Sequence, residues 1–162
     1  MKSVVIYATR SGNTKQVADA VADVLGERGT VEIHSVDDAP RDLRDFDLVV
    51  IGGPTEAHGM TPPMKGYLDA IDAASVKDRP CAAFDTRLAW PRVLAGSAAD
   101  GIARWLREHD ASVVASPESF IVSMKPELQP GELEHAHRWA RAIAQQRLEA
   151  ADGREGDSRA GR

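Results

Sequence analysis

The chain has 162 residues, a formal net charge of −5 and a single cysteine. This length suits one domain and is short for two, because folded domains cluster at about 100 to 150 residues. The excess of acidic residues argues against a nucleic-acid-binding protein. One cysteine excludes an internal disulfide bond, and the apolar runs are too short for a signal peptide or a membrane span, so we expect a cytoplasmic protein.

Short apolar runs alternate with helical patterns along the chain, which is typical of βαβ units and a parallel sheet. The pattern predicts strands near 3–8, 31–35, 47–52, 80–85 and 112–116, and helices near 13–28, 62–73, 97–109 and 131–147. The third and fourth strands are nearly continuous apolar runs, as expected where helices cover both faces of a sheet. Residues 149–162 lose the hydrophobic pattern, so we predict a domain over 1–148 and a disordered tail.

The junction between the first strand and the first helix carries the strongest functional signal. The strand ends at Tyr7 and is followed by a hydroxyl-rich loop that contains a glycine. The unpaired amide groups and the positive dipole end of the next helix would point back at this loop, which is an arrangement that binds anions without a metal. A capped turn would need only one of these polar residues. We therefore predict a phosphate site formed by Thr9, Arg10, Ser11, Gly12, Asn13 and Thr14.

Two common phosphate-loop patterns, G-x-x-x-x-G-K-[ST] and G-x-G-x-x-G, do not occur in the chain. The string that does occur resembles the FMN-phosphate loop of the flavodoxin family: Tyr7-x-Thr9-x-x-Gly12-Asn13-Thr14, followed by Ala18 and Val21. The resemblance implies an α/β fold, a three-layer α/β/α sandwich with a five-stranded parallel sheet in the order 2-1-3-4-5. Ligands of such sheets lie outside the carboxyl ends of the strands, so the loops after the third and fourth strands should complete the site.

The loop after the third strand resembles the flavodoxin loop that borders the isoalloxazine ring of the flavin. Taken alone, it fits equally well a surface turn that ends in a proline-initiated helix. The resemblance implies that the first residues of the loop flank the ribityl chain and that His58 and Met60 lie against the ring. It also implies that the His58–Gly59 peptide turns to stabilise the neutral semiquinone, since glycine allows such a turn at little cost. The cofactor-binding residues predicted in this loop are Pro54, Thr55, Glu56, Ala57, His58, Gly59 and Met60.

The loop after the fourth strand departs from the common flavodoxin pattern, which has an acidic, glycine-rich segment with a tyrosine. Its Asp-Thr-Arg string at 85–87, with Gly-Ser-Ala-Ala at 96–99, instead resembles a small bacterial subgroup of flavodoxin-like proteins. The resemblance implies polar contacts from Asp85 and Thr86 to the pyrimidine edge. Arg87 would add another contact, serve the phosphate or lie in solvent. Trp90 either stacks on the ring, which contributes about 1 kcal/mol beyond burial, or covers the next helix.

Other features of the sequence are weaker. No cysteine and histidine residues have metal-ligand spacing, and we predict neither a metal site nor a catalytic residue. Asp37 and Asp38 follow the second strand and could mimic a ribose-binding acid, but without a glycine fingerprint we expect them to form a solvated turn.

The function that the resemblance implies is electron transfer through bound FMN. The protein would shuttle electrons between redox proteins through the flavin semiquinone and hydroquinone, with a flavin reductase or a ferredoxin-type protein as donor and an unknown acceptor. An FMN-dependent quinone or small-molecule reductase is the alternative. A signalling receiver domain and a flavodoxin-like protein that has lost FMN are further alternatives. We expect a monomer or a weak homodimer that binds neither nucleic acid nor membranes.

Overall fold

The computed structural model describes residues 1–160, with side chains as far as residue 149. Its strands are β1 (Lys2–Tyr7), β2 (Thr30–Ser35), β3 (Leu48–Glu56), β4 (Gly59–Met60), β5 (Pro80–Leu88), β6 (Ser112–Val113) and β7 (Glu118–Val122). Its α-helices are α1 (Asn13–Gly26), α2 (Pro62–Ala70), α3 (Arg92–Ala95), α4 (Ala98–Glu108) and α5 (Glu132–Ala160).

The central sheet is built from parallel strands in the order β2, β1, β3 and β5, with β6 and β7 both beside the outer edge of β5. β6 pairs with the start of β5 and β7 with its end, so together they fill the fifth position. The predicted order 2-1-3-4-5 is therefore confirmed. The extent of the fifth strand, predicted at 112–116, is wrong because the chain leaves the sheet after Val113. Pro117, which has no N–H to donate to a ladder, directly precedes the return at Glu118.

Helices cover both faces of this sheet, as predicted for a three-layer sandwich. Val5 packs toward α1 and α5, while its neighbours Val4 and Ile6 pack toward α2 and α4. This alternation follows from the two-residue period of a strand. On the first face, Phe84, Phe120 and Trp139 meet edge to face, with ring centroids 5.9–6.0 Å apart. Both faces of the central strands are therefore buried. The rigid sheet positions the loops at the carboxyl ends of these strands.

The last helix is longer than its apolar stripe. The backbone of α5 is helical as far as Ala160, so the end predicted near residue 147 is wrong. The extra segment contains Ala, Glu and Arg, which favour helix, but also Gly153 and Gly156, which disfavour it, so its composition does not explain the extension. The predicted domain boundary after residue 148 stays a prediction, and residues 161–162 of the predicted tail lie outside the described residues. Within the described chain, no helix combines the length and apolar character that a membrane crossing requires.

Candidate functional site

The loop between β1 and α1 leaves the start of the helix open. Gly12 is the N-cap residue and has φ +88° and ψ −8°, a left-handed conformation that favours glycine. Its N–H group donates a hydrogen bond to Thr9 Oγ1 at 3.0 Å. Among the described residues, no protein acceptor is found for the backbone N–H groups of Ser11, Asn13 and Thr14. These free donors lie at the positive end of the helix dipole and can bind an anion. We call residues Thr9 to Thr14 the phosphate loop.

Polar side chains hold the phosphate loop against distant parts of the chain. The hydroxyl groups of Thr14 and Thr86 form a buried hydrogen bond of 2.7 Å, which fixes the helix start to the end of β5. The Asn13 side chain donates to Ser11 Oγ at 3.1 Å and to the carbonyl of Pro126 at 2.7 Å. Thr86 therefore lies below the phosphate loop and is 4% exposed, and its predicted contact with the pyrimidine edge stays a prediction. The contact with Pro126 was missed because no motif links two residues so far apart in sequence.

The start of α4, by contrast, is closed by the protein itself. The N–H groups of Ala98, Ala99 and Asp100 donate to Thr55 Oγ1 at 2.8 Å, Asp85 Oδ2 at 3.0 Å and Ser97 Oγ at 3.1 Å, respectively. Their acceptors come from β3, β5 and the N-cap position. The first turn of α1 thus offers free donors that the first turn of α4 lacks, so an anion at this end of the sheet would bind at α1.

Asp85 is a fully buried carboxylate that ties three elements together. Its side chain is 0% exposed, and its Oδ2 atom accepts hydrogen bonds from Thr55 Oγ1 at 3.0 Å, Ser97 Oγ at 2.6 Å and the Ala99 N–H at 3.0 Å. Its Oδ1 atom is buried without a partner among the described residues. The predicted contact of Asp85 with the pyrimidine edge stays a prediction, and this burial argues against it. Ser97 was overlooked as a site residue, although a serine before a helix is an N-cap signal.

The loop predicted to border the flavin ring is a tight hairpin. Thr55 pairs with Met60 and Glu56 pairs with Gly59, which leaves Ala57 and His58 as a two-residue turn. Two-residue hairpin turns of this kind require positive φ angles, and Ala57 and His58 have φ values of 44° and 71°. Both residues pay a conformational penalty because they are not glycine. The strain lies at the tip of the hairpin, beside the proposed cofactor site.

The His58–Gly59 peptide follows the tip of the hairpin. Gly59 lies in β4, after the turn, so the peptide at the tip of the hairpin is Ala57–His58. The carbonyl of His58 packs against Gly96, where an added Cβ would lie 2.0 Å from the His58 oxygen. The predicted rotation of the His58–Gly59 peptide would have to break this contact. The Met60 side chain packs against Gly101 of α4, since a Cβ there would lie 3.2 Å from Met60 Cε.

A cavity of about 480 Å³ opens beside the phosphate loop at the carboxyl ends of β1 and β3. Four predicted cofactor residues lie in its wall: Thr9, Arg10, Pro54 and Glu56. The Arg10 guanidinium and the Glu56 carboxylate form an ion pair with an Nη1–Oε1 distance of 3.0 Å. This contact joins the phosphate loop to the hairpin, so the structure brings the first two predicted loops together. Nearby on α1, the hydrogen bond to Asp19 raises the pKa of Lys15.

The segment after β5 displays apolar side chains. Arg87 Nη1 donates to the carbonyl of Trp90 at 2.6 Å and thereby shapes the turn, so its guanidinium is engaged away from the phosphate loop. The Trp90 side chain is 57% exposed, and Val93 and Leu94 on α3 are 95% and 65% exposed. Trp90 is therefore not a buried cover for the following helix, and its stacking on a flavin stays a prediction. Among the described residues, no group of three or more potential ligands could hold a metal ion.

Comparisons with known proteins agree with this fold. The flavodoxin domain profile matches residues 4–95. A flavodoxin from the domain Archaea has a TM-score of 0.73 at 24% identity, over 91% of this chain and 99% of that one. Oxidised flavodoxin 1 from Bacillus cereus has a TM-score of 0.77 at 24% identity, over 90% and 98%. The flavodiiron protein from Giardia intestinalis has a TM-score of 0.77 at 19% identity, over 94% of this chain and 37% of that one. Because the profile covers more than half of the sequence, this chain belongs to the flavodoxin family.

Proposed function

We propose that this chain binds FMN without a covalent bond and carries electrons between redox proteins. The flavin supplies the redox chemistry when bound, while the protein supplies binding, orientation and the local field. The observation that carries the proposal is the open first turn of α1, whose amides have no acceptor among the described residues. Its location agrees with the position of the ligand in open parallel sheets, where strand order reverses between β1 and β3.

The residues of the phosphate loop suit a dianionic phosphate. The amides of Ser11, Asn13 and Thr14 would donate hydrogen bonds, and the hydroxyl of Thr9 has its own proton to donate, because its oxygen is the acceptor for Gly12. Helix N-termini and hydroxyl groups bind phosphate without a metal. Arg10 would add positive charge at the rim, where its side chain is 80% exposed. The donor set therefore fits the phosphate of FMN.

The ring would lie beside the hairpin tip and Trp90, outside the contact that joins His58 to Gly96. The tip presents Ala57 and His58 on one side, and Trp90 stands exposed on the other. The neighbouring side chains of Val93 and Leu94 extend this apolar surface. Exposed apolar patches often mark protein–protein contact sites, which supports a carrier whose flavin edge meets a partner protein. A flavin reductase or a ferredoxin-type protein would serve as donor.

A titration of the apoprotein with FMN and with riboflavin tests the phosphate site. Charge-assisted hydrogen bonds contribute about 1.5–3 kcal/mol each, so we expect FMN to bind about 100-fold more tightly than riboflavin or better. Thr9→Ala removes the hydroxyl proposed to donate to the phosphate, so it should weaken FMN binding and leave riboflavin binding unchanged. Ser112→Ala, in β6 at the amino end of the sheet, is the matched control and should change neither. Equal affinities for the two flavins would contradict the proposal.

A second measurement separates a carrier from a reductase. The FMN-loaded protein, mixed with NADPH and a quinone, should show slow quinone reduction until a flavin reductase protein is added. Reduction should then proceed through protein-to-protein electron transfer in one-electron steps. Fast turnover with NADPH and quinone alone would replace the carrier proposal with the quinone or small-molecule reductase.

A further inference from the structure

The segment after β5 is fixed in position although its side chains are exposed. Arg92 Nη2 donates a hydrogen bond to Ser119 Oγ at 2.7 Å, which ties the start of α3 to β7. At the other end of α3, Gly96 forms a backbone bridge with His58 of the hairpin tip. No residue of α3 is buried, and its two large apolar residues, Val93 and Leu94, are exposed. These apolar side chains therefore stand out from an anchored segment.

A cavity of about 440 Å³ lies between the hairpin tip and the first turns of α2 and α4. Among the described residues, three cationic side chains line it, those of Lys65, Arg92 and Arg104, and one carboxylate, that of Asp100. This carboxylate lies 3.7 Å from Arg92 Nη1 and offsets the charge of that guanidinium. Lys65 and Arg104 are exposed, and neither forms an ion pair within residues 1–149. The cavity therefore carries an excess of positive charge.

This positive excess contrasts with the formal net charge of the whole chain, which is −5. The cavity and α3 both border the hairpin tip, because His58 lines the cavity and pairs with Gly96. Protein interfaces combine an apolar centre with a polar rim, and arginine is enriched among the residues that dominate binding. The surface beside the proposed flavin edge has this composition. We call the following residues the docking face: Lys65, Arg92, Val93, Leu94 and Arg104.

We propose that the docking face binds an acidic redox protein, which presents carboxylates around an apolar patch. The carboxylates pair with Lys65 and Arg104, while Val93 and Leu94 meet the apolar patch. A basic protein would place like charges opposite these two cationic side chains, which disfavours the complex. One electron then passes between the bound flavin and the partner, so that one is oxidised as the other is reduced. The inference rests on the proposed function, because the docking face serves electron transfer only when FMN lies beside the hairpin tip.

The salt dependence of electron transfer separates local charge from net charge. The probe is cytochrome b5, an acidic haem protein, and the reduced FMN-loaded protein gives one electron to its ferric haem. Stopped-flow absorbance of the haem measures the second-order rate constant. The net charge alone would make this rate constant rise with ionic strength, because salt screens the repulsion between two acidic proteins. Docking at the positive face should instead make it fall about tenfold between about 20 and about 300 mM salt, and a rise would overturn the inference.

Charge reversals locate the effect on the surface. Lys65→Glu and Arg104→Glu together should lower the rate constant with cytochrome b5 about tenfold and should not lower the rate constant with cytochrome c, a basic haem protein. Arg28→Glu and Lys77→Glu together are the matched control, because these exposed residues precede β2 and β5 at the amino end of the sheet. The control should leave the rate constant with cytochrome b5 within about twofold of the wild-type value. Equal losses in the two double variants would overturn the inference, because they would reflect net charge alone.

FMN binding is measured on the same preparations, because the docking face lies outside the proposed flavin contacts. Both double variants should bind FMN as tightly as the wild-type protein does. Failure of the wild-type protein to bind FMN refutes the proposed function and the docking face with it. If FMN binds but electron transfer to cytochrome b5 does not respond to Lys65 and Arg104, the docking face is refuted and the proposed function stands.

Discussion

The buried carboxylate of Asp85 allows a quantitative prediction about how the loops of the site are held. Asp85→Ala removes the acceptor of two hydroxyl groups and of the Ala99 N–H. The hydroxyls of Thr55 and Ser97 can turn to other acceptors, but the amide of Ala99 cannot. A buried donor left without a partner costs about 1–3 kcal/mol, and lost bonds to a charged acceptor add about as much. We therefore expect the free energy of unfolding to fall by about 3 kcal/mol.

Urea unfolding of the apoprotein measures this loss, and two variants serve as controls. Asp85→Asn keeps an oxygen in the position of Oδ2 and places its NH₂ where Oδ1 already lacks a partner, so it should lose only about 1 kcal/mol. Asp38→Asn, on an exposed turn, should change stability by less than about 0.5 kcal/mol. An Asp85→Ala variant within about 1 kcal/mol of the wild type, or an Asn variant as unstable as the Ala variant, would refute the reasoning.

Three further predictions follow from the backbone and from the one cysteine. Ala57→Gly should raise the free energy of unfolding by about 0.5 kcal/mol. The variant removes the strain of an alanine with positive φ, and this gain outweighs the added entropy of the unfolded chain. Unchanged or lower stability would contradict the prediction. Gly12→Ala should lower the free energy of unfolding by about 1 kcal/mol, because alanine is strained at a φ angle of +88°. No steric clash contributes, since an added Cβ meets no atom within 4 Å. Burial raises the pKa of the Cys81 thiol to about 12, so a disulfide reagent at pH 8 should label it only after unfolding. Because this pKa exceeds the unfolded value of about 8.5, the contribution of Cys81 to stability should be complete below that pH and should disappear as the pH approaches 12.

The sequence predicted the parts of the fold that depend on local pattern. Apolar runs and helical stripes indicated a parallel sheet, and the resemblance supplied the strand order that the structure confirms. The open start of α1 could also be predicted, because the glycine, the hydroxyl residues and the helix that form it are adjacent in sequence, while the binding of a phosphate there stays a prediction. The roles of Asp85 and Thr86 were not recognisable in the same way. Whether a polar residue at a strand end faces a ligand or lies beneath it depends on the helices and loops that cover it.

The hairpin shows a second limit of sequence reasoning. The resemblance implied a rotating peptide at His58–Gly59, but no sequence pattern predicted a hairpin there. The strand register instead places Ala57 and His58 at the tip. Register is set by pairing along the whole strand, and one residue of shift changes which peptide stands at the turn. The cavity beside the phosphate loop was likewise hidden, because its walls come from four separate segments of the chain.

The bond between Asn13 and Pro126 has a consequence for fragments of this protein. Residues 4–95, which match the family profile, include every residue predicted to touch the cofactor. Yet Asn13 is anchored beyond that range, and β5 takes its outer neighbour from β7. A peptide truncated after residue 95 would keep the residues that match the family profile. It would lose the Pro126 carbonyl that binds Asn13 and the strand that pairs with the end of β5. The residues predicted to bind the cofactor thus lie before residue 95, but segments that follow residue 95 hold them in place.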